Sequence, residues 1–473
     1  MEYSKYFELP GGDNECKVYY FNGKVIREYL PKYGKSSRQV IDVIGLDTLE
    51  KFGVVNTKVI FRNIDALILE HELLVAALPS SWSLGHLKDA LDLTLKLSLN
   101  LNKFGFCLKD FLPENIVFDG TKPFFIDFSS ITLSSTLHEI DWIKIESGGK
   151  NPIKYLLKQQ LLPYFLIPIF LGYLNSQDIM RSFLQNNYCN SGARQPSIRD
   201  LELFKFKKRN FSTSLKIVSF LILFGKLQNL NINFQLIRWI VKSLEKNLRV
   251  PMSAYSNYYS DKGEDSNLNQ KSKWNNKQKN VDMVISKYAP CSLLDLGSNT
   301  GWFSELAAQN GANVIALDQD ISSIHELYLK SKVMKMDITP LVISFEELVS
   351  EQELDTEFGI QVNGDSRKLP DDRFNSDIVL ALGLIHHLCL GSGYSIDSIM
   401  KILSLLTNKC LIIEFIYLND EKILSNPDFF ANLSNRRNNY DLKKVIDQGQ
   451  KYFREYRILE SFPNTRCLVM FFK

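Results

Sequence analysis

LLDLGSNTGWFSELAAQNGANVIALDQD, from Leu293 to Asp320, decides the fold of the second half of this chain. An apolar run ends at Leu296, the chain turns through Gly297-Ser298-Asn299-Thr300-Gly301, and a helix-forming run follows. Glycines between a strand and a helix let the backbone approach a ligand closely, at the helix end whose amide groups point outward. The next strand-like run, NVIALD, ends in Asp318, 21 residues beyond Gly297. That is where a carboxylate meets the two ribose hydroxyls of a nucleoside in such folds. The loop reads G-x-x-x-G with Asn299 at its centre, so the G-x-G-x-x-G of a pyrophosphate site is incomplete. Asp295 adds a carboxylate at the strand tip, which repels a pyrophosphate and suits the ammonium group of a methionine moiety. A strand-turn-helix without a ligand would need the loop and Asp318 to coincide by chance.

Outward from this stretch, strand-like and helical runs alternate: SLLDLG, a helix through Trp302 to Gln309, NVIALD, DIVLALGL, a helix through Ile396 to Leu406, and CLIIEF. Such alternation specifies a parallel sheet with helices on both faces. The final segment, YRILESFPNTRCLVMFFK, reads as two strands turning at Pro463-Asn464, which closes the sheet with an antiparallel strand. The fold class is α/β and Rossmann-like here. In DIVLALGLIHHLCLGSG the fourth strand ends in His386-His387, at the sheet edge where open α/β folds bind ligands. An imidazole there can take a proton from a hydroxyl, and the competing reading has both histidines packing under the ligand. A metal role is disfavoured, because neighbours on one strand point to opposite faces. Glu414, in LIIEF, is a second candidate for substrate contact at the same mouth.

The loop resembles motif I of class I S-adenosylmethionine-dependent methyltransferases. The resemblance implies that Gly297, Ser298, Asn299, Gly301 and Asp318 bind S-adenosyl-L-methionine, with Asp295 near its amino-acid end. Many members contact the adenine through a third acidic residue after the next strand. An insertion-like stretch from Pro340 to Phe358 precedes VNGDSRKLP here, so Asp365 and Asp337 are rival candidates. The D/N-P-P-Y element of DNA amino-methyltransferases has LGLIHHL in its place, which disfavours base flipping. The run with LTNKCLIIEF after it, and SSWSLGHLKDALDLTLKLSLNLNKFGFCLKDFLPENIVFDGTKPFFIDFSSI upstream, resembles the methyltransferases grouped with rhizobial nodulation proteins. That family is tied to surface glycans and lipo-oligosaccharides, which implies a glycan or glycolipid hydroxyl as acceptor.

In the first half, KVYYFNGKVIREYL reads as a hairpin about Asn22-Gly23. WSLGHLKDALDLTLKLSLNLN places leucines at helical spacing from Trp82 to Asn102. Asp110, Asn115 and Asp127 stand in the order D-x4-N-x11-D, which looks like the catalytic and metal-binding loops of kinase-like phosphotransferases. Departures are Leu108-Lys109 before Asp110, Ser129 in place of the DFG glycine, and no glycine-rich loop near Lys17 to Arg27. Arg27 and Lys24 compete to replace the phosphate-binding lysine. The alternatives are a bifunctional kinase and methyltransferase, a degenerate kinase-like block, and a scaffold that holds the cofactor without turnover.

AYSNYYSDKGEDSNLNQKSKWNNKQKN, from Ala254 to Asn280, is polar and short of aliphatic residues. The expected organisation is therefore an α+β, kinase-like domain over residues 1–250, a linker or lid over 251–280 and the methyltransferase domain over 281–473. A formal charge of +3 gives no reason to expect nucleic acid, and the seven scattered cysteines without C-x-x-C spacing fit a reducing cytoplasm. MEYSKYFELPGGDNE is no secretory signal. The apolar runs Leu161 to Leu174 and Leu215 to Leu227 are shorter than a membrane span and read as buried helices. FKFKKRNF, from Phe204 to Phe211, reads either as a peripheral membrane contact or as a solvated basic turn.

Overall fold

A computed structural model describes residues 7–8, 16–21, 24–29, 34–64, 66–74, 77–148, 152–174, 177–188, 235–239, 241–242, 268–348, 374–425 and 440–473. The chain divides into two compact units, with the first ending at Pro251 and the second starting at Met252. Asp365, the basic run 204–211 and the apolar run 215–227 lie outside the described residues.

The first unit is built on a sheet of β1 (Phe7–Glu8), β2 (Cys16–Phe21), β3 (Lys24–Tyr29), β4 (Thr57–Arg62) and β5 (Leu67–Glu72). Its order is β1-β2-β3-β5-β4, antiparallel throughout. Phe21 pairs with Lys24, so the β2–β3 hairpin turns through two residues. Helices α1 (Gly34–Ile44) and α2 (Leu46–Lys51) stand between β3 and β4. Helix α3 (Leu84–Asn102) is largely buried, with Leu84, Leu87, Leu91, Leu95 and Leu101 on its core side and Lys96 and Asn102 exposed. It begins where the Ser83 amide donates to His86 Nδ1 at 3.3 Å. After it come the small antiparallel pairs of β6 (Phe106–Leu108) with β9 (Ile131–Leu133) and β7 (Ile116–Asp119) with β8 (Lys122–Phe125). The apolar run 161–174 is helical, and Leu161, Phe165, Leu166, Ile169, Phe170 and Leu171 are buried. Among the described residues no helix is long and apolar enough to cross a membrane.

The second unit carries a seven-stranded sheet of β10 (Ser292–Leu296), β11 (Asn313–Asp318), β12 (Ile338–Val342), β13 (Ser376–Ala381), β14 (Thr407–Ile416), β15 (Glu455–Glu460) and β16 (Arg466–Phe472). The order is β12-β11-β10-β13-β14-β16-β15. The first five strands run parallel, while β16 inserts antiparallel between β14 and β15. Strands covered on both faces read as mostly apolar runs, and β10 to β14 do, broken inside the sheet chiefly by Asp295, Thr339 and Glu414. Helices α4 (Asn276–Tyr288), α5 (Trp302–Gln309), α6 (Ile321–Met334) and α7 (Ile396–Leu406) supply that cover. Their apolar sides meet in a core that includes Val281, Val284, Phe303, Leu306 and Leu327. Strand order reverses between β10 and β13, which opens a crevice at the carboxyl ends of the strands.

Three expectations need correcting. The linker does not extend to residue 280: Trp274, Lys277 and Gln278 are buried, and Asn275 caps α4 by accepting from the Gln278 amide at 3.0 Å. The stretch beginning at Pro340 is no insertion at its start, since Pro340 to Val342 belong to β12. The histidines are not on the fourth strand. β13 ends at Ala381, the chain turns at Gly383, and His386 and His387 sit in a helical turn with ring centroids 4.1 Å apart. The two rings therefore lie side by side on one helical turn and do not diverge to opposite faces of a strand.

Candidate cofactor and acceptor site

The loop after β10 is held by backbone geometry. Gly297 has a φ of 72°, Asn299 of 52° and Gly301 of 85°, all left-handed. The Gly297 and Ser298 amides both donate to the Leu317 carbonyl, at 2.8 and 3.0 Å, which ties the turn to β11. Asn299 steadies itself by accepting the Thr300 amide at 2.6 Å. A Cβ added to Gly297 would meet only Leu384 Cδ1 at 3.7 Å, so that side of the loop is open. Gly301 differs: a Cβ there would fall 2.3 Å from Leu327 Cδ1. Its lack of a side chain serves the packing of α5 against α6 as well as the turn.

Asp318 ends β11 beside this loop. Its Oδ2 accepts the Asn299 amide at 2.8 Å and its Oδ1 the Asp320 amide at 2.8 Å. Burial pushes its carboxyl up, and those backbone donors only partly offset the rise. Asp295, on β10, is buried and accepts from Ser304 Oγ at 2.6 Å. Burial raises its pKa to about 6, with the Ser304 bond and the Lys277 charge opposing the rise and Asp318 adding to it. The buried Ser298 Oγ and Trp302 Nε1 have no hydrogen-bond partner among the described residues. Orphaned polar atoms beside an open glycine turn are what a polar ligand would satisfy, so these residues fit a nucleoside with an amino-acid tail.

Glu414 lies at the carboxyl end of β14 and is buried. Lys277 Nζ donates to its Oε2 at 2.8 Å and Ser461 Oγ to its Oε1 at 2.8 Å. Burial alone would raise its carboxyl; Lys277, Arg466 and Ser461 more than offset that and hold it below the usual range. Both oxygens are engaged inside the protein, so Glu414 does not reach out to a substrate as the sequence reading expected. His386 is fully buried, whereas His387 is partly exposed. Asp337 precedes β12, at the opposite edge of the sheet from the loop, and is tied to Asn313 Nδ2 at 3.1 Å. That placement removes it as an adenine contact. Lys277 was missed, having been read as linker; the cap pattern Asn275-x-x-Gln278 was the signal that a helix begins there.

In the first unit, Asp110 Oδ1 accepts Asn115 Nδ2 at 2.5 Å and Ser130 Oγ at 3.0 Å. Asp127 Oδ1 accepts the Ser129 amide at 3.1 Å and its hydroxyl at 2.6 Å. Arg27, on β3, stands 3.6 Å from the same oxygen. It is Arg27, then, and not Lys24 at the hairpin turn, that faces the acidic loop. Asp42, the one acidic residue of α1, pairs at the surface with Arg62 at 2.7 Å.

Strand order, the antiparallel β16 and the glycine turn with Asp318 give the second unit the Rossmann-like fold, mostly parallel with an antiparallel last strand, that the resemblance to class I methyltransferases implies. The first unit places two helices between β3 and β4 and brings Asp110, Asn115 and Asp127 onto neighbouring loops, with Arg27 beside Asp127. No family model matches the chain. It is similar to nodulation protein NoeA of Rhizobium meliloti (strain 1021), 24% identical over 442 residues that cover 88% of this chain and 85% of that protein. Solved structures with some likeness include the bifunctional kinase-methyltransferase WbdD, at 19% identity, 41% of this chain, 39% of that one and a TM-score of 0.29. Magnesium protoporphyrin IX methyltransferase from Synechocystis PCC 6803 matches at 15% identity, 41% of this chain, 82% of that one and a TM-score of 0.29. The matched part is thus about two fifths of the WbdD chain. The fold rests on the strand order and the glycine loop.

Proposed function

We propose that the second unit transfers a methyl group from S-adenosyl-L-methionine to a hydroxyl of a glycan or glycolipid. The observation that carries the cofactor is the open, left-handed Gly297 turn laced to Asp318 by the Asn299 amide. When bound, the cofactor supplies an electrophilic methyl carbon. Asp318 receives the ribose hydroxyls, its carboxylate having lone pairs left beyond the two amides. Asp295 faces the ammonium end, and Gly297, Ser298, Asn299 and Gly301 shape the turn. The support for a glycan-type acceptor is the resemblance to the methyltransferases grouped with rhizobial nodulation proteins, and the chain is similar to one nodulation protein over most of its length. His387, the more exposed imidazole, removes the acceptor proton, and the buried His386 packs beneath it.

Calorimetry tests the reading. Asp318→Asn and Asp318→Ala should weaken the cofactor by roughly 2 to 3 kcal/mol, through lost charge-assisted hydrogen bonds. Binding of NAD by the parent chain, lost in Asp318→Ala, would replace the methyltransferase reading with that of a dehydrogenase. In turnover assays His387→Gln should lower kcat with cofactor affinity unchanged, while an unchanged kcat would return both histidines to a packing role.

A further inference from the structure

The buried pair of Lys277 and Glu414 calls for an explanation of its own. Its side chains are 7% and 0% exposed, and the ammonium is 2.8 Å from the carboxylate. Taking two charges out of water costs several kcal/mol per ion, so a buried pair is weak evidence of a stabilising device. Lys277 reaches this spot from the first turn of α4, outside the sheet. Glu414 follows Ile413, whose partner is Ala381 at the end of β13, and its Oε2 would lie 3.5 Å from a Cβ on Gly383. The next residue, Leu384, is the one facing the open side of Gly297. The ammonium therefore shares the carboxyl rim of β10, β13 and β14 with the glycine turn.

That rim is otherwise acidic. Asp295, Asp318 and Glu414 lie on it, and an amino-acid carboxylate entering among them would be repelled. The nearby Arg466 is committed to Asp420, through Nε at 2.8 Å and Nη2 at 3.1 Å. Building on the cofactor reading above, we infer that Lys277 receives the α-carboxylate of the cofactor's methionine end, with Glu414 and Ser461 as positioning residues that hold its ammonium in place. Asp295 and Lys277 then offer the two charges that a zwitterionic amino acid needs, and the Lys277 charge already acts on the Asp295 carboxyl. Glu414 thus acts through Lys277 and not on the acceptor.

The test compares binding of S-adenosylmethionine with that of decarboxylated S-adenosylmethionine, which keeps the nucleoside, sulfonium and amine and lacks only the carboxylate. Lys277→Met alone strands a buried carboxylate, so the paired Lys277→Met/Glu414→Gln, which removes both charges, and Lys277→Arg are used on the full chain. The parent should prefer the intact cofactor by about 10- to 100-fold, the scale of a charge-assisted hydrogen bond. The paired variant should bind both compounds alike at the parent's affinity for the decarboxylated one, and Lys277→Arg should keep most of the preference. A preference that persists in the paired variant, or equal losses for both compounds, overturns the role of Lys277 while leaving the cofactor site standing. A parent that binds neither compound overturns the cofactor reading itself, and this inference with it.

Discussion

Asp295 shows how one residue trades stability for a site. Its folded pKa of about 6 lies above the ordinary carboxylate value, so the native state holds a proton that the unfolded chain has lost between about pH 4 and pH 6. Stability therefore falls as pH rises through that window, and the full penalty of a buried charge is present at pH 7. Asp295→Asn keeps a partner for Ser304 and removes the charge. It should raise the unfolding free energy at pH 7 by on the order of 1 to 3 kcal/mol, flatten the fall between about pH 4 and 6, and weaken the cofactor. Denaturant unfolding across pH checks it, and an unchanged slope would mean that Asp295 is not protonated in the fold. At this scale much was legible: Asp295, Gly297 and Asp318 stand in one continuous run whose spacing has a geometric meaning. Lys277 was not, because a lone lysine in a polar run carries no sign of its burial, which depends on Glu414, far away in sequence.

Among the elements, the parallel strands could be read from mostly apolar runs and the closing pair from its turn. β12 was harder, since ITPLV contains a proline and follows α6 after only a few residues. The helical turn holding His386 and His387 was read as strand because the apolar run DIVLALGLIHHL continues without change of composition past Ala381, and Gly383 was the break to notice. Packing between α5 and α6 also changes what one substitution measures. Gly301→Val places methyl groups into Leu327 and forces a β-branched residue into a left-handed turn. It should lower stability by roughly 3 kcal/mol as well as abolish cofactor binding. Thermal unfolding of the ligand-free variant at an unchanged temperature would mean that α5 and α6 can part to make room.

For the molecule as a whole, the question is whether the first unit, with Asp110, Asn115 and Asp127 in the D-x4-N-x11-D order, transfers phosphoryl groups. Its acidic loops are assembled, with one oxygen of Asp127 engaged by Ser129 and Arg27 and the Asn115 amide nitrogen engaged by Asp110. The Arg27 guanidinium stands 3.6 Å from Asp127 Oδ1, and the pair raises the Arg27 pKa against the opposing effect of burial. The Ser129 amide and hydroxyl bind that same Asp127 oxygen, and the Asn115 amide group points at Asp110. A fixed cation beside Asp127 does part of what magnesium does for charge, but it cannot bridge and move with the phosphates as phosphoryl transfer requires. We therefore expect no magnesium-dependent ATP turnover by the full chain above background, and methyl transfer in Asp110→Asn and Asp127→Asn within about two-fold of the parent once folding is matched. Asp127→Asn strands the Arg27 charge, so its unfolding free energy should fall by about 1 to 3 kcal/mol. Measuring stability beside the two activities separates these effects. Magnesium-dependent ATP turnover in the parent that disappears from a folded Asp127→Asn protein would make the chain bifunctional, with Arg27 serving the nucleotide phosphates instead of standing in for the metal.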